Sequence, residues 1–212
     1  MAIKPILFNT EMVRANLDGR KTCTRRLVKP QPDEKHTYPL GFVTDSTEKK
    51  EVGCFGFGID EYGGSIQYAK PPYQPGDILY VRETWSKGLE RYIYRADYSD
   101  TEKFYRNGKE IEIKWKPSIR MPKEAARIWL KVTDVRVERL QEITPDVIKN
   151  EGIILDPKEC VGKFDYTSEL YFLFQRLWNS TIKKPDFDRY GWDANPWVWV
   201  IEFERCEKPE EN

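Results

Sequence analysis

The chain has 212 residues, a length that suits one large domain or one domain with long insertions better than two independent domains. Its 35 Lys and Arg residues balance 35 Asp and Glu residues, and this net charge of zero excludes a histone-like or polybasic binder. No apolar run is long enough to span a bilayer, and the first 16 residues carry no secretory signal pattern. We therefore expect a cytoplasmic protein with no membrane partner.

The first part of the chain predicts a short strand, a short helix and a long insertion. A strand pattern covers residues 3–8, and Asn9 or Thr10 is placed to cap a helix that Gly19 ends. Residues 30–75 are rich in Gly, Pro, Tyr and charge without being of low complexity. This composition predicts an ordered insertion.

The middle of the chain predicts a strong strand followed by a second insertion. The turn Pro75-Gly76-Asp77 leads into a β-rich run over 78–85. A second variable segment covers 86–122, and its Asn107-Gly108 pair predicts a hairpin turn. The weaker strand candidates on either side of that turn are 92–96 and 111–115.

The last third of the chain contains the clearest patterns. β-branched alternation predicts a strand over 128–137, and Thr144-Pro145-Asp146 predicts a short helix that ends near Glu151-Gly152. A longer amphipathic helix follows, with Ser168 as the predicted cap. The closing strand, 196–204, places Trp197, Trp199, Ile201 and Phe203 on one side.

Five or six strands and three short helices, without regular βαβ alternation, indicate an α+β fold that is mainly β. We predict an antiparallel or mixed β-barrel with peripheral short helices and long insertions. A Rossmann-type sheet is disfavoured. One end of such a barrel would carry a cleft built from loops.

The cysteine and histidine content argues against a metal centre. The four cysteines lie far apart with no Cys-x-x-Cys pair, and in a cytosolic chain we expect reduced thiols. The single histidine, His36, lies in a Pro- and Lys-rich stretch, where we expect a solvated loop residue. A His-rich metal site and a Ser-His-Asp triad are both disfavoured. We predict no metal and no cofactor.

A basic segment after the first helix is the strongest candidate for chemistry. Lys21 is surrounded in sequence by Arg20, Arg25 and Arg26, and neighbouring cations disfavour the charged form of a lysine. Such a lysine can act as a base. A solvated basic turn or an anion-binding patch is the alternative for the same segment.

A hydroxyl near Lys21 would complete a nucleophilic pair. Thr24 lies three residues after Lys21 and could reach the same side of a tight turn, and Thr22 is the local competitor. Hydrolysis of an amide also needs an acid for the leaving nitrogen. The residues alone do not select that acid among 35 carboxylates.

At this segment the sequence resembles the ASCH-domain family, a branch of the PUA-like β-barrels with a Gly-x-Lys-x-x-x-Arg loop after the first helix. Gly19-Arg20-Lys21-Thr22-Cys23-Thr24-Arg25 fits that loop. The resemblance continues in order through 75–81, 132–151 and 198–203. It implies a single ASCH domain over 1–212, with insertions at about 30–75 and 86–122, similar to members carried by phages and prophages.

One branch of that family consists of small N4-acetylcytidine amidohydrolases, and it implies catalytic roles for Lys21, Thr24 and Glu151. Lys21 would take the proton of Thr24, whose oxygen attacks the acetyl carbonyl, and Glu151 would protonate the departing amine. Water would then release acetate from Thr24. The implied substrate is an N4-acylated cytidine nucleoside, and the implied chemistry needs no metal.

A non-catalytic module that binds RNA or modified nucleic acid, or a ribonuclease, is the competing interpretation. Arg20, Arg25 and Arg26 concentrate positive charge in one short stretch, as expected of phosphate contacts. Trp85 lies at the end of a strand that should border the same cleft and could stack on a base. Packing at the rim of the barrel is an equal alternative for Trp85. The oligomeric state stays open.

Overall fold

The computed structural model describes residues 1–88, 91–106, 108–155 and 165–210, and they form a mainly β fold with short helices. Strands β1 to β12 span Ile3–Leu7, Cys23–Leu27, Tyr38–Phe42, Phe55–Gly58, Ile66–Ala69, Ile78–Arg82, Trp85–Lys87, Tyr92–Tyr94, Phe104–Arg106, Lys109–Ile111, Trp129–Arg139 and Trp197–Cys206. Helices α1 to α4 span Thr10–Leu17, Pro145–Asn150, Tyr166–Ser180 and Phe187–Tyr190. The predicted α+β class with a majority of strands is confirmed.

A mixed five-stranded sheet forms the centre of the molecule, in the order β1-β6-β11-β12-β2. The β1–β6 pair is parallel, and the other pairs are antiparallel. Within the described residues no backbone ladder joins the outer strands β1 and β2, so the predicted closed barrel is not observed. Instead, Arg26 Nη2 on β2 donates to the carbonyl of Leu7 at the end of β1 across 3.0 Å. This junction between the two edge strands is therefore open.

The closing strand β12 separates two apolar clusters. Trp197, Trp199, Ile201 and Phe203 belong to the larger cluster, as the alternation predicted. The intervening Val198 and Val200 face a second cluster built with α2 and α3. Because successive strand residues point to opposite faces, β12 has apolar side chains on both faces and is buried on both.

Both predicted insertions contain small sheets of their own. The first holds the three-stranded sheet β3-β4-β5, and the second holds the pairs β7-β8 and β9-β10. Next to the second insertion, Arg127 Nε and Nη2 bind the two oxygens of the buried Glu83 at 2.9 and 3.0 Å. Arg127 Nη1 also binds Asp97, which lies inside the insertion, at 2.7 Å.

The structure changes the bounds of two predicted strands. The strand predicted over 78–85 ends at Arg82, and a separate strand begins at Trp85. The strand predicted over 111–115 is observed as Lys109–Ile111, paired with Phe104–Arg106. Gly108 has the positive φ of a turn, whereas Asn107 lies outside the described residues.

The helix caps match the sequence prediction at one helix and correct it at another. Asn9 Oδ1 accepts from the amide of Met12 at 2.8 Å and so caps α1. Helix α3 begins earlier than predicted, because Asp165 accepts from the amides of Thr167 and Ser168. Among the described residues, no helix has the length and apolar character needed to cross a bilayer.

Candidate functional site

The basic loop, residues 19–22 between α1 and β2, turns Lys21 into the interior. Gly19 adopts a φ of +75°, and the amides of Arg20 and Lys21 both donate to the carbonyl of Ala15, at 2.9 and 3.0 Å. Asn16 Nδ2 donates to the carbonyl of Lys21 at 3.3 Å. This compact turn fixes the backbone, so the lysine side chain enters the protein instead of following the solvated surface.

The same loop binds the end of α2 through three successive residues. Arg20 Nη1 donates to the carbonyl of Gly152 at 2.7 Å, Lys21 Nζ to that of Glu151 at 2.9 Å, and the Thr22 amide to that of Asn150 at 2.9 Å. The last carbonyls of a helix lack intrahelical donors and carry partial negative charge, which cationic donors satisfy.

Gly152 is required for this close approach. Its φ is +95°, and a Cβ built on it would lie 2.6 Å from Ala15 Cβ and 3.2 Å from Lys21 Cβ. Side chains other than glycine disfavour that backbone region, and the contact with Ala15 leaves no room for a methyl group. The sequence pattern marked Gly152 only as a helix end, although the Glu-Gly pair was a signal of this close contact.

Lys21 and Glu151 form a buried ion pair. Lys21 Nζ lies 2.8 Å from Glu151 Oε2, and the two side chains are 0% and 4% exposed. The other two donors of the ammonium bind the carbonyls of Cys23 and Glu151, at 2.8 and 2.9 Å. The predicted neighbours were arginines that disfavour the charged lysine. The structure corrects this, because three acceptors, one of them a carboxylate, surround Nζ as they would an ammonium.

Arg25 corrects the prediction that it contacts a phosphate. Its side chain is 1% exposed and lies between two carboxylates, with Nη1 3.3 Å from Glu151 Oε1 and Nη2 2.9 Å from Glu138 Oε2. Glu138 was not predicted as a site residue. The signal was the charged i, i+2 series Asp134, Arg136 and Glu138, which alternates with the apolar residues Val135 and Val137 and so lies on one face of the strand.

Thr24 lies on the opposite face of β2 from Arg25. It pairs with Ile201, a member of the larger apolar cluster, whereas Arg25 pairs with Val200 in the second cluster. The carbonyl of Cys23 that accepts from Lys21 belongs to the peptide that joins Cys23 to Thr24. Thr24 is 1% exposed.

The two other nucleophilic groups beside Thr24 differ from it in environment. Burial, with a contribution from the charge of Glu151, raises the pKa of the Cys23 thiol to about 12, against the opposing charges of Lys21 and Arg25. A thiol with that pKa stays protonated at neutral pH and is inert. Thr22 is exposed to solvent.

The two remaining predicted binding arginines lie near the ion pair, but the hydrogen bonds they make within the described residues go to groups other than its two side chains. Arg20 is partly exposed and is also bound to Asp18, at 2.8 Å. Arg26 donates to the carbonyls of Leu7 and Arg25, and its burial lowers the pKa of its guanidinium, which Tyr73 and Glu151 oppose.

Trp85 corrects the prediction of an exposed stacking surface. Only 5% of it is exposed, and it packs with Met121 and Ala125 inside the second insertion. The rings of Trp85 and Tyr92 form a T-shaped pair at a centroid distance of 5.4 Å, and Lys116 Nζ lies over the Trp85 ring, 4.8 Å from its centroid. Burial and Lys116 leave little of the Trp85 ring face open to a base.

His36 is bound between two side chains instead of being solvated. Its Nδ1 lies 2.7 Å from Asp33 Oδ1 and its Nε2 lies 3.0 Å from Ser65 Oγ. In the parts of the chain that the structure describes, no group of three or more His, Cys, Asp or Glu residues is arranged to hold a metal ion. Cys160 lies outside those parts, and Cys23, Cys54 and Cys206 are free thiols.

A cleft of about 250 Å³ lies beside Glu151, between α1 and α3. Its walls are mostly apolar and are formed by Met12, Ala15, Ile153, Ile154, Leu173 and Leu177. Asn9 and Glu11 also line it. The ion pair is therefore buried but lies next to an opening that carries a polar side and an apolar side.

Comparison with known proteins adds one similar structure. No family model matches the chain, and no curated protein matches it. The chain is similar to the crystal structure of an ASCH domain from Lactobacillus crispatus JV V101, with 11% identity, 96% of this chain and 79% of that chain covered, and a TM-score of 0.35.

Proposed function

We propose that this protein is an amidohydrolase that removes the acyl group from N4-acetylcytidine-like nucleosides, with Lys21, Thr24 and Glu151 as catalytic residues. Its assignment as one ASCH domain of the PUA-like type, with two insertions, is part of the same proposal. The observation that carries it is the buried Lys21–Glu151 pair, which is hydrogen-bonded to the peptide that precedes Thr24.

The ion pair can supply both the base and the acid that amide hydrolysis needs. Lys21 passes a proton to Glu151 Oε2 across their 2.8 Å hydrogen bond, which leaves a neutral amine and a neutral carboxylic acid. The amine takes the proton of the Thr24 hydroxyl as Oγ1 attacks the acyl carbonyl carbon. Glu151 then protonates the nitrogen as the C–N bond breaks, and the ion pair is restored.

Water completes the reaction. The acyl ester on Thr24 is attacked by water, whose proton passes through the same pair to the departing Thr24 oxygen. The products are the free amine and a carboxylic acid, and the protein returns to its starting protonation. This sequence uses the burial of the pair, because proton exchange inside an ion pair is easier where water does not solvate both charges.

The first test is conversion of N4-acetylcytidine to cytidine and acetate by the purified protein, followed by chromatography. We expect Lys21→Met, Thr24→Val and Glu151→Gln to lower the rate by about 10²- to 10⁴-fold, the range for loss of a positioned proton-transfer group or nucleophile. Thr24→Ser keeps a hydroxyl and should retain more activity than Thr24→Val.

Two neighbouring variants serve as matched controls. Thr22→Val removes the exposed hydroxyl two residues away, and Lys149→Met removes a surface lysine of α2 that pairs with Asp146 at 3.3 Å. Both should keep wild-type rates. Absence of acetate release by the folded wild-type protein, or wild-type rates in Thr24→Val, would contradict the proposal and favour the nucleic-acid-binding alternative, which a salt-titrated RNA-binding assay would then test.

A further inference from the structure

Glu151 is held by two cations that come from different parts of the chain. Lys21, in the basic loop, binds Oε2, and Arg25, on strand β2, binds Oε1. The three side chains are between 0% and 4% exposed. A carboxylate bound at both oxygens from two directions has little freedom to rotate.

We propose that Arg25 is a positioning residue, which keeps Oε1 of Glu151 occupied so that Oε2 faces Lys21. This inference rests on the proposed function, because it assigns Oε2 as the oxygen that exchanges the proton. Arg25 does not touch the substrate in this role.

The position of Arg25 is fixed more firmly than that of a surface arginine. Its backbone lies in the β2–β12 ladder opposite Val200, and its guanidinium carbon lies 6.0 Å from the ring centroid of Phe174. Its second arm is bound to Glu138 at 2.9 Å. The planar fork of an arginine can bridge two carboxylates in this way, whereas a lysine offers one point charge.

Glu138 is held in turn by Arg136 at the surface. Arg136 Nε donates to Glu138 Oε1 at 2.7 Å, and Arg136 also contacts Asp134 and Glu202. Burial lowers the pKa of Arg136, but its hydrogen bonds to Glu138, Glu202 and Asp134 outweigh this and raise it. The chain of charges Arg136–Glu138–Arg25–Glu151 therefore connects a solvated cluster to the catalytic pair without a break.

Kinetics of Arg25→Gln and Arg25→Lys test the inference with N4-acetylcytidine as substrate. We expect Arg25→Gln to lower kcat by about 10- to 100-fold while KM changes less than about threefold, since a misplaced catalytic group costs on this scale. Arg25→Lys should recover part of kcat. A kcat equal to wild type in folded Arg25→Gln, or a loss confined to KM, would overturn the inference.

Arg127→Gln is the matched control. It also removes an arginine from a buried glutamate, Glu83, but beside the second insertion and away from the Lys21–Glu151 pair. Arg127→Gln should lower the melting temperature at least as much as Arg25→Gln and leave kcat near the wild-type value. An equal fall of kcat in both variants would show that loss of stability alone explains the effect, and would also overturn the inference.

A spectroscopic readout separates this inference from the proposed function. In protein labelled with ¹³C at the glutamate carboxyl carbons, the resonance of Glu151 is identified by its loss in Glu151→Gln. We expect Arg25→Gln to shift this resonance and Arg127→Gln to leave it unchanged, whether or not the protein hydrolyses N4-acetylcytidine. No shift in Arg25→Gln would contradict the positioning role independently of turnover.

Discussion

Two buried glutamates, Glu83 and Glu151, are both bound to arginines, and the difference between them separates structural from catalytic use of a charge. Arg127 binds both oxygens of Glu83 in a bidentate pair beside the second insertion. Glu151 instead divides its oxygens between Lys21 and Arg25. Among the described residues, the first arrangement pairs both Glu83 oxygens with an arginine, which does not give up its proton. The second leaves one oxygen on a lysine that can exchange a proton.

The surroundings of the two glutamates differ in the same sense. Arg127 also pairs with Asp97 and packs over the ring of Tyr94, so these neighbours hold the Glu83–Arg127 pair in place. A cleft lies beside Glu151, and its partner Lys21 donates to the carbonyl of Cys23, in the peptide that precedes Thr24. An ion pair that borders an opening is better suited to chemistry than one enclosed by its own partners.

The largest effect is expected from a backbone change that moves Glu151 away from Lys21. Gly152→Ala places a methyl group 2.6 Å from Ala15 Cβ at a φ of +95°, so the end of α2 must move away from Lys21. We expect a loss of about 3 kcal/mol in the free energy of unfolding by urea, from backbone strain and overpacking together. Hydrolysis of N4-acetylcytidine should fall with it.

Gly19→Ala is the control for that variant. Gly19 also has a positive φ, +75°, but a Cβ there meets nothing within 4 Å. It should lose only about 1 kcal/mol, the cost of the backbone conformation alone. Equal losses in the two variants would show that crowding at Gly152 is not what fixes the distance between Glu151 and Lys21.

The next largest effect is expected from disruption of the Glu83–Arg127 pair. Glu83→Gln leaves the partly buried Arg127 with Asp97 alone, and we expect a loss of about 2 kcal/mol in the free energy of unfolding. The rate of acetate release should stay within about twofold of wild type at a temperature where both proteins are folded. A fall in rate comparable to that of Glu151→Gln would remove the distinction between the two glutamates.

The stability that the Asp77 carboxylate contributes should depend on pH. Burial raises the pKa of the Asp77 carboxyl. Hydrogen bonds from Lys4 and from the amides of Ala2 and Gln74 together lower this pKa by more, so it lies below the usual range. A group with a lowered folded pKa contributes stability above its unfolded pKa and loses it as the pH falls through the folded value. Asp77→Asn should therefore cost about 1.5 kcal/mol at pH 7, the scale of a charge-assisted hydrogen bond.

Urea titrations at several pH values check this prediction. The difference between wild type and Asp77→Asn should shrink as the pH falls below about 4, the ordinary pKa of an aspartate, because both proteins then carry a neutral side chain. A difference that stays constant to pH 2 would mean that Asp77 acts through its shape and not through its charge.

The smallest expected effect concerns the cysteine between the catalytic candidates. Because the pKa of Cys23 is about 12, iodoacetamide at pH 8 should leave Cys23 unmodified in the native protein and alkylate it only after denaturation. Peptide mass analysis measures this directly. Rapid native alkylation of Cys23 would mean that solvent reaches the interior beside Glu151, and would weaken the contrast with the enclosed Glu83.

Patterns of one or two elements were predictable from the sequence. The alternation of β12 and the cap of α1 follow from local rules, and both were confirmed. The boundary errors have local causes as well. Asp165 accepts two amides three residues before the predicted cap, and the chain leaves the central sheet at Arg82 although the β-rich pattern continues to Trp85. Strand propensity does not show where pairing partners stop.

The site divides in the same way. The sequence determined that Lys21 and Thr24 lie in one short segment and that Glu151 ends a helix, because these are facts of spacing and capping. Only the tertiary structure decided that Glu151 meets Lys21, that Arg25 points at two carboxylates and that Trp85 is buried. The reason is that the burial and partner of a charge depend on segments far apart in the chain, here 130 residues for Lys21 and Glu151, and no local pattern records them.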